Sequence, residues 1–534
     1  MESYGSKDNK FDTDMVFSHT QLAVLCEKGN TTTQLTLDDD YNLPEYKADI
    51  VGIISAQGDV KLDEVSAEDG LVKLRGALQF QVLYRSTKEE GLISVLIGEI
   101  PFQEAIRMET AAGDCDVHVT TDIEDLTVSA INSRKLQIRS LITVAINLKK
   151  TENFELPTET TSDEDLLQLK TAAVQTLTMD SHKKDTLRIR EDVALSSNKP
   201  SIDEILSYTL QLRGIDCRVA EGMINVNGEL FIHMLYRSTS GNGEVQCLET
   251  SLPIRSELEA PEAEPDLISW ITTRLLSSEL EPREDLDGEI RLIHVVAVIE
   301  LQEWLWEEKT TGLIEDVYSL DGKLEGVTKH VALPKLLIKN DSKFRMNERI
   351  SIESTEPVIQ LCGCFGTIQI EHTNQVESGI EVNGLLKLRL LMIVANDDNP
   401  LVSMNATLPF TEVVEIPQMQ GDTTLTYQLD AGIDQLSTTL LDSGMAECKA
   451  GIRLSVIAFE NREYTYVGSM AYAEGPKKDA DRPGMIGVYV QPGEDLWSVA
   501  KKYMLREEDI RKWNPDIGDD VKAGDKILII RQLS

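Results

Sequence analysis

Cys362 and Cys364 are separated by a single glycine, and among the residues of this sequence they come closest to a metal-binding motif by type and spacing. A structural zinc site needs four ligands, and the seven histidines are dispersed along the chain, with no ligand-like cluster beside this pair. We therefore predict two buried thiols on a strand and no metal or cofactor. The sequence also contains no P-loop, dinucleotide-binding, H-E-x-x-H or G-x-S-x-G motif. We expect no catalytic residues and no enzyme; a site assembled from distant residues is a remote alternative.

Aromatic residues offer two further candidates for binding. The dipeptide Tyr-Arg occurs at residues 84–85 and again at 236–237. It is either an exposed contact pair or a tyrosine that ends a buried strand face, with the arginine in solvent. We favour the second interpretation because a third copy carries Met392-Ile393 there. Trp304 and Trp306 would face the same side of a strand, either as a docking patch or packed in a core.

These residues belong to an internal repeat. Leu-Tyr-Arg-Ser-Thr at 83–87 recurs at 235–239, an offset of 152 residues that also relates Pro101 to Pro253. A third copy follows the second at an offset of 156, which relates the Val-Asn-Gly of 226–228 to that of 382–384. Several anchors agree without slippage, so the sequence predicts three homologous units of about 150 residues.

Each unit contains strong alternation of apolar and polar residues, the pattern of half-buried strands. The predicted buried positions are Leu78, Phe80, Val82 and Tyr84 in the first unit, Leu230, Ile232, Met234 and Tyr236 in the second, and Leu386, Leu388, Leu390 and Met392 in the third. Turn signals such as Asp69-Gly70 separate the runs. The units are therefore predicted to be mainly β.

Composition restricts the function. The 534 residues carry 52 Lys and Arg against 91 Asp and Glu, a net charge of −39, and such a field repels nucleic acid and anionic lipid. We see no secretory signal and no apolar run long enough to span a membrane. Seven scattered cysteines suit a reduced compartment. The expected location is the cytoplasm.

The chain divides at changes of composition. We predict repeat domains at 1–155, 156–310 and 311–471, a polar linker at 472–484 and a small module at 485–534. The acidic stretches 155–165 and 257–266 are predicted connectors between repeats, and Asp38–Asp40 is also predicted to be a solvated connector. The last module should fold as strand, helix, helix, strand, with Asp495 as an N-cap and a second helix over about 507–513.

The last module resembles a LysM domain. The similarity covers 486–531 and consists of Y-V-x-x-G-x-x-L-W-x-V-A, an Asn-Pro after the second helix, and V-x-x-G-x-x-I-x-I. LysM domains generally bind N-acetylglucosamine-containing glycans between two loops, which here are 493–497 and 514–518. The resemblance therefore implies a partner- or glycan-binding site made of Gly493, Glu494, Asp495, Trp497, Asn514, Pro515, Asp516 and Ile517. Glu494-Asp495 replaces the usual Asp-Thr, which weakens the glycan interpretation.

The whole arrangement resembles the SPOCS-repeat spore coat proteins of spore-forming Firmicutes, which end in a LysM domain. The Leu-Tyr-Arg-Ser copies at 83 and 235 carry the resemblance, while the third unit keeps mainly Asn383-Gly384 and Pro409. The resemblance implies a scaffold at the forespore surface in the mother-cell cytoplasm. Its LysM would dock the SpoIVA-like morphogenetic ATPase of the coat basement layer, and its repeats would meet other coat proteins. The alternative is a peptidoglycan binder with the repeats as a spacer.

Overall fold

The computed structural model describes residues 15–86, 93–160, 166–240, 244–396, 398–417, 425–442, 444–473, 484–518 and 521–530. Eighteen strands form three units of six. The first unit holds β1 (Phe17–Asn42), β2 (Ile50–Glu68), β3 (Leu71–Ser86), β4 (Ile93–Arg107), β5 (Asp116–Asn132) and β6 (Lys135–Thr160). The second holds β7 (Leu167–Ala194), β8 (Ile202–Ala220), β9 (Met223–Ser238), β10 (Val245–Glu259), β11 (Ile268–Glu284) and β12 (Ile290–Ser319). The third holds β13 (Leu324–Ser351), β14 (Val358–Val376), β15 (Gly379–Val394), β16 (Leu401–Glu415), β17 (Leu425–Asp442) and β18 (Met445–Tyr472).

The C-terminal module follows these units. It consists of β19 (Met485–Tyr489), α1 (Leu496–Tyr503), α2 (Glu507–Trp513) and β20 (Lys526–Ile530). The two strands pair antiparallel, and the two helices lie between them in the sequence. The predicted fold class, three mainly β repeats followed by a β-α-α-β module, is confirmed. Residues 474–483 of the predicted linker lie outside the described residues.

Every unit has the same topology, two three-stranded antiparallel sheets. Strands two, three and four form a meander, and the long first strand pairs with the sixth, which pairs with the fifth. The inner faces of the two sheets share one apolar core in each unit. Each unit is thus a small sandwich whose inward side chains follow the period of two that the sequence shows.

The predicted core positions of the third strand are buried in all three units. Tyr84 and Tyr236 are fully buried, and each donates its hydroxyl hydrogen to a main-chain carbonyl 3.0 Å away, of Ala48 and Pro200 respectively. The interpretation of the tyrosines as the end of a buried face is therefore confirmed. Asp69-Gly70 forms the turn between β2 and β3, with positive φ at both residues.

Within the described residues, the acidic stretches are not the connectors between repeats that the sequence suggested. Asp38–Asp40 lies within β1, and 155–160 continues β6 to its end, while 161–165 lies outside the described residues. Residues 257–266 finish β10 and form the turn before β11, inside the second unit. Acidic residues were misleading because an exposed face of a strand can be as acidic as a loop. Residues 155 and 310, at which the sequence divides the repeats, lie inside β6 and β12.

The three units follow one another around a closed ring. The fourth strand of each unit contacts the second strand of the next: β4 with β8, β10 with β14, and β16 with β2. One apolar cluster fills the centre and takes equivalent residues from every unit, such as Leu83, Leu235 and Leu391. We call the contacts between successive units the first, second and third junctions.

A β-bulge supplies each junction. The pairing of the second strand with the third shifts at Ile53/Ser55, at Ile205/Ser207 and at Leu361/Gly363. The extra residue, which is Ile54, Leu206 or Cys362, joins the central cluster instead of the sandwich core of its own unit. A bulge redirects one side chain without breaking the strand, and here it turns an apolar residue toward the neighbouring unit.

The long strands extend beyond the sandwiches and form a stem. The beginning of β1, β7 and β13 pairs with the end of β6, β12 and β18, and these three ribbons pack together around further apolar clusters. Trp304 and Trp306 lie inside this stem, 1% and 3% exposed. Trp304 stacks on His182 and Trp306 packs on Phe459. The two tryptophans are core residues, and the docking-patch alternative is wrong.

Candidate binding surface of the C-terminal module

The C-terminal module is held by a small core of its own. Ala500 of α1, Ile510 of α2, and Ile527 and Ile529 of β20 are fully buried. Leu496, which begins the helical stripe predicted from the sequence, is also buried. This core fixes the two loops that the resemblance assigns to binding, because the first loop leads into α1, the second follows α2, and both helices pack in the core.

The first loop precedes α1 and uses its charged residues internally. Gly493 has a φ of +85°, a conformation that favours glycine, and lies on the exposed rim. Glu494 accepts a hydrogen bond from the Gln491 main-chain N–H at 3.0 Å and pairs with Lys502 at 3.1 Å; these contacts lower its pKa. Asp495 caps α1, accepting the Ser498 N–H at 2.8 Å within a capping box.

The second loop follows α2 and is anchored by one amide. Asn514 Nδ2 donates to the carbonyls of Ile510 and Leu528, both at 2.7 Å, and its Oδ1 accepts the Leu528 N–H at 2.7 Å. Asn514 therefore ties α2 to β20 and is committed to the fold of the module. Pro515 and Asp516 are exposed, and Ile517 is half-buried against the module core.

Trp497 contacts the body of the protein. Its Nε1–H donates to Asp316 Oδ2 at 2.8 Å, and its ring lies edge-on to Tyr318, with 4.8 Å between ring centres. Both partners come from the end of β12, and the Tyr318 hydroxyl donates to the Leu505 carbonyl at 2.7 Å. Burial raises the pKa of Tyr318. The aromatic predicted as a groove residue thus helps to seat the module on the stem.

Two ion pairs complete this seat. Lys501 of α1 lies 2.6 Å from Asp316, and Lys170 of β7 lies 3.4 Å from Asp495. Of the eight predicted site residues, Asp495 and Trp497 contact the body, Asn514 serves the fold of the module, and Gly493, Pro515 and Asp516 are exposed. The sequence analysis missed Asp316, Tyr318 and Lys170, which are more than 170 residues away and have no local motif.

The surroundings of the remaining candidates, the two cysteines and the arginines of the two Tyr-Arg dipeptides, indicate structural roles. Cys362 and Cys364 are both buried on β14, as predicted. Within the described ranges, no group of three or more His, Cys, Asp or Glu is arranged to hold a metal ion. Arg237 pairs with Asp203 at 2.8 Å, whereas Arg85 donates to the main-chain carbonyl of Asp398, so the two arginines are not used alike.

Models of two known protein families match most of the strands and helices described above. The model described as "SipL, SPOCS domain" matches residues 49–131, 201–278 and 357–441, which correspond to strands two to five of the three units. The LysM domain model matches residues 488–529. The chain is a SPOCS-repeat protein with a C-terminal LysM domain. The three SPOCS segments make up the ring, while most of the stem is built from the first and sixth strands, outside the matches.

The other comparisons add no relative. No curated protein and no solved structure matches the chain. SPOCS and LysM are non-catalytic binding domains, and their combination fits a sporulation-related scaffold, with peptidoglycan as the type of ligand that a LysM domain takes. No helix in the described part of the chain is long and apolar enough to cross a membrane.

Proposed function

We propose that this protein is a non-enzymatic scaffold of spore coat assembly. It acts in the mother-cell cytoplasm at the forespore surface, where its LysM domain docks the SpoIVA-like morphogenetic ATPase of the coat basement layer. The observation that carries the proposal is the combination of three SPOCS segments with one LysM domain in a single chain. The SPOCS ring would present anionic surfaces to other coat proteins, since the chain has a net charge of −39.

The surroundings of the LysM loops support a protein as the partner. Trp497 and Asp495, which would face a sugar, are engaged by Asp316 and Lys170 of the stem. The second loop keeps Pro515 and Asp516 exposed. These two exposed residues lie on a module that is held against the stem. A partner protein could therefore contact the second loop and the stem together, in one larger interface.

The alternative is binding of N-acetylglucosamine-containing peptidoglycan, which the LysM match favours. A glycan binder should sediment with purified cell-wall material and lose that property when Trp497 is replaced by Ala. A scaffold that does not bind glycan should stay in the supernatant when the wall material is sedimented.

Binding of the full chain to the purified ATPase tests the proposal. We expect Asp516→Lys to weaken binding about tenfold, which is about 1.4 kcal/mol, because the substitution reverses a charge on the exposed loop. Glu508→Lys makes the same charge change on the exposed face of α2 and should alter binding less than twofold. A chain ending at Gly484 should not bind. Equal binding by that shorter chain would move the partner site into the SPOCS units. If neither chain bound the ATPase, the docking proposal would be refuted.

A further inference from the structure

Two thiols from neighbouring SPOCS units meet at the second junction of the ring. Cys247 lies on β10 and Cys362 is the bulge residue of β14, and both belong to the central apolar cluster. The two thiols are close enough to shift each other's pKa, lowering that of Cys247 and raising that of Cys362, and neither residue is in a disulfide. Cys362 is 2% exposed, whereas Cys247 is half-buried and receives a second hydrogen bond from Gln360 Nε2 at 3.4 Å.

The repeat offsets show that the equivalents of these two positions lie at the other two junctions of the ring as well. The equivalent residues are Val95 and Leu206 at the first junction, and Ser403 and Ile54 at the third. At the third junction the contact is direct, since Ser403 Oγ donates to the Ile54 carbonyl at 2.6 Å. Among the three junctions, all within the described residues, the second is the one with two sulfur atoms at these positions.

We propose that Cys247 and Cys362 form a reversible disulfide that covalently joins the second and third SPOCS domains. The oxidant is a low-molecular-mass disulfide such as oxidised glutathione. The Cys247 thiolate attacks one of its sulfurs, forms a mixed disulfide and expels one thiolate. Cys362 then loses its proton, attacks the Cys247 sulfur and expels the second thiolate. Two protein thiols become one disulfide, and the external disulfide becomes two thiols, which take up the two protons.

The order of attack follows from the surroundings of the two sulfurs. The proximity of the two thiols lowers the pKa of Cys247 and raises that of Cys362, so Cys247 is the member of the pair that ionises first as the pH rises. Burial raises the pKa of Cys26 to about 11 and that of Cys217 and Cys448 to about 12, which keeps these thiols protonated. Cys247 is thus both the more exposed and the more ionised member of the pair.

The disulfide would be a covalent cross-link across the second junction of the ring. Residues 247 and 362 enclose a long loop of chain that contains one stem strand of each of the two units, β12 and β13. Closing such a loop removes much of the freedom of the unfolded chain. In a reducing cytosol the pair stays as two thiols, and a rise in the ambient redox potential would lock the second and third units together.

Mapping of the oxidised full chain tests this proposal. The protein is incubated with oxidised glutathione at pH 8 and digested with trypsin without reduction, and the peptides are identified by mass spectrometry. We expect a disulfide between peptides 238–255 and 350–387. Fragment ions that cleave on either side of Gly363 assign the link to Cys362 in the unaltered protein, so the result does not depend on a variant that folds. Oxidation should raise the unfolding midpoint, and dithiothreitol should reverse that shift.

Cys362→Ala and Cys364→Ala form a matched pair of variants. The link should vanish in Cys362→Ala and in Cys247→Ala, and it should persist in Cys364→Ala, whose side chain lies in the core of the third unit. Three results would each overturn the proposal: glutathione retained on Cys247 without a link, a link that requires Cys364, or full-chain thiols that stay reduced.

Discussion

One polar side chain from each unit lies at the same repeat position near the centre of the ring, but the three residues differ in type. Gln81, His233 and Arg389 occupy equivalent positions of the three units. Arg389 donates to the Ala56 carbonyl at 3.3 Å, with its guanidinium over the Phe365 ring, and burial lowers its pKa to about 10. His233 contacts the Cys362 carbonyl at 2.9 Å through Nε2. The geometry assigns the proton to Nε2, because a carbonyl can only accept.

Burial lowers the pKa of His233 to about 4, from an ordinary value of 6.5. The folded protein therefore keeps this imidazole neutral while the unfolded chain takes up a proton. The resulting stability is fully present above pH 6.5 and is lost as the pH falls toward 4, by about 3 kcal/mol in total. We predict that His233→Gln flattens the fall in stability between pH 6.5 and 4, as measured by urea unfolding at each pH.

His372→Gln is the control for that measurement. His372 is exposed on β14, and this variant keeps the buried imidazole of His233, so the fall in stability between pH 6.5 and 4 should remain. If His233→Gln and the unaltered protein lost stability in parallel, the buried imidazole would not be the group responsible.

At the scale of elements, the bulge in the second strand of each unit decides how the units join. Leu206 is the bulge residue of β8, is 1% exposed and packs in the central cluster rather than in the core of its own sandwich. A bulge disturbs the ladder locally and must be compensated by the contact it creates. The ring therefore depends on three bulge side chains that add nothing to the core of an isolated unit.

We predict that Leu206→Ala costs about 2–5 kcal/mol, the range for a buried leucine that leaves a cavity. Because the loss is at the first junction, hydrogen exchange should speed up in β8 and in β4 across the junction before it does so in β12. Hydrogen exchange with mass spectrometry measures this by segment. Leu276→Ala, on β11 and 39% exposed, should cost less than about 0.5 kcal/mol. Equal effects of the two substitutions would contradict the assigned role.

At the scale of the whole molecule, the LysM domain is seated on the end of the stem. One carboxylate, Asp316, accepts from both Trp497 and Lys501, and Tyr318 reaches the Leu505 carbonyl. The seat uses two of the predicted site residues, Trp497 and Asp495, as anchors, so the position of the module and the exposure of its loops depend on each other.

We predict that Asp316→Ala loosens this seat. Removal of the carboxylate leaves the Trp497 N–H and the Lys501 ammonium without their acceptor, at a cost of about 1–3 kcal/mol. Hydrogen exchange in α1 should accelerate about tenfold or more, and Trp497 should become more accessible to quenchers. Asp287→Ala, in an exposed turn of the second unit, should have no such effect. Unchanged exchange in α1 would show that the contacts with Asp316 do not hold the module.

Much of the fold follows from local patterns in the sequence. Alternation identified the buried face of the third strand in every unit, and the repeat offsets revealed three equivalent units. The predicted second helix, 507–513, and the Asp495 cap agree with the structure. These features were accessible because side-chain period and capping are set by residues a few positions apart.

The tertiary structure decided which faces meet. A period of two places Cys362 and Cys364 on one face of β14, yet the bulge sends Cys362 to the junction and leaves Cys364 in the unit core. No local pattern distinguishes the two, because the bulge is held by its contact with β10 of another unit. The seat of Trp497 on Asp316 is likewise a contact across 181 residues. The sequence by itself determined the units, their strands and the LysM module; packing between distant segments determined the ring, the stem and the partners of the site residues.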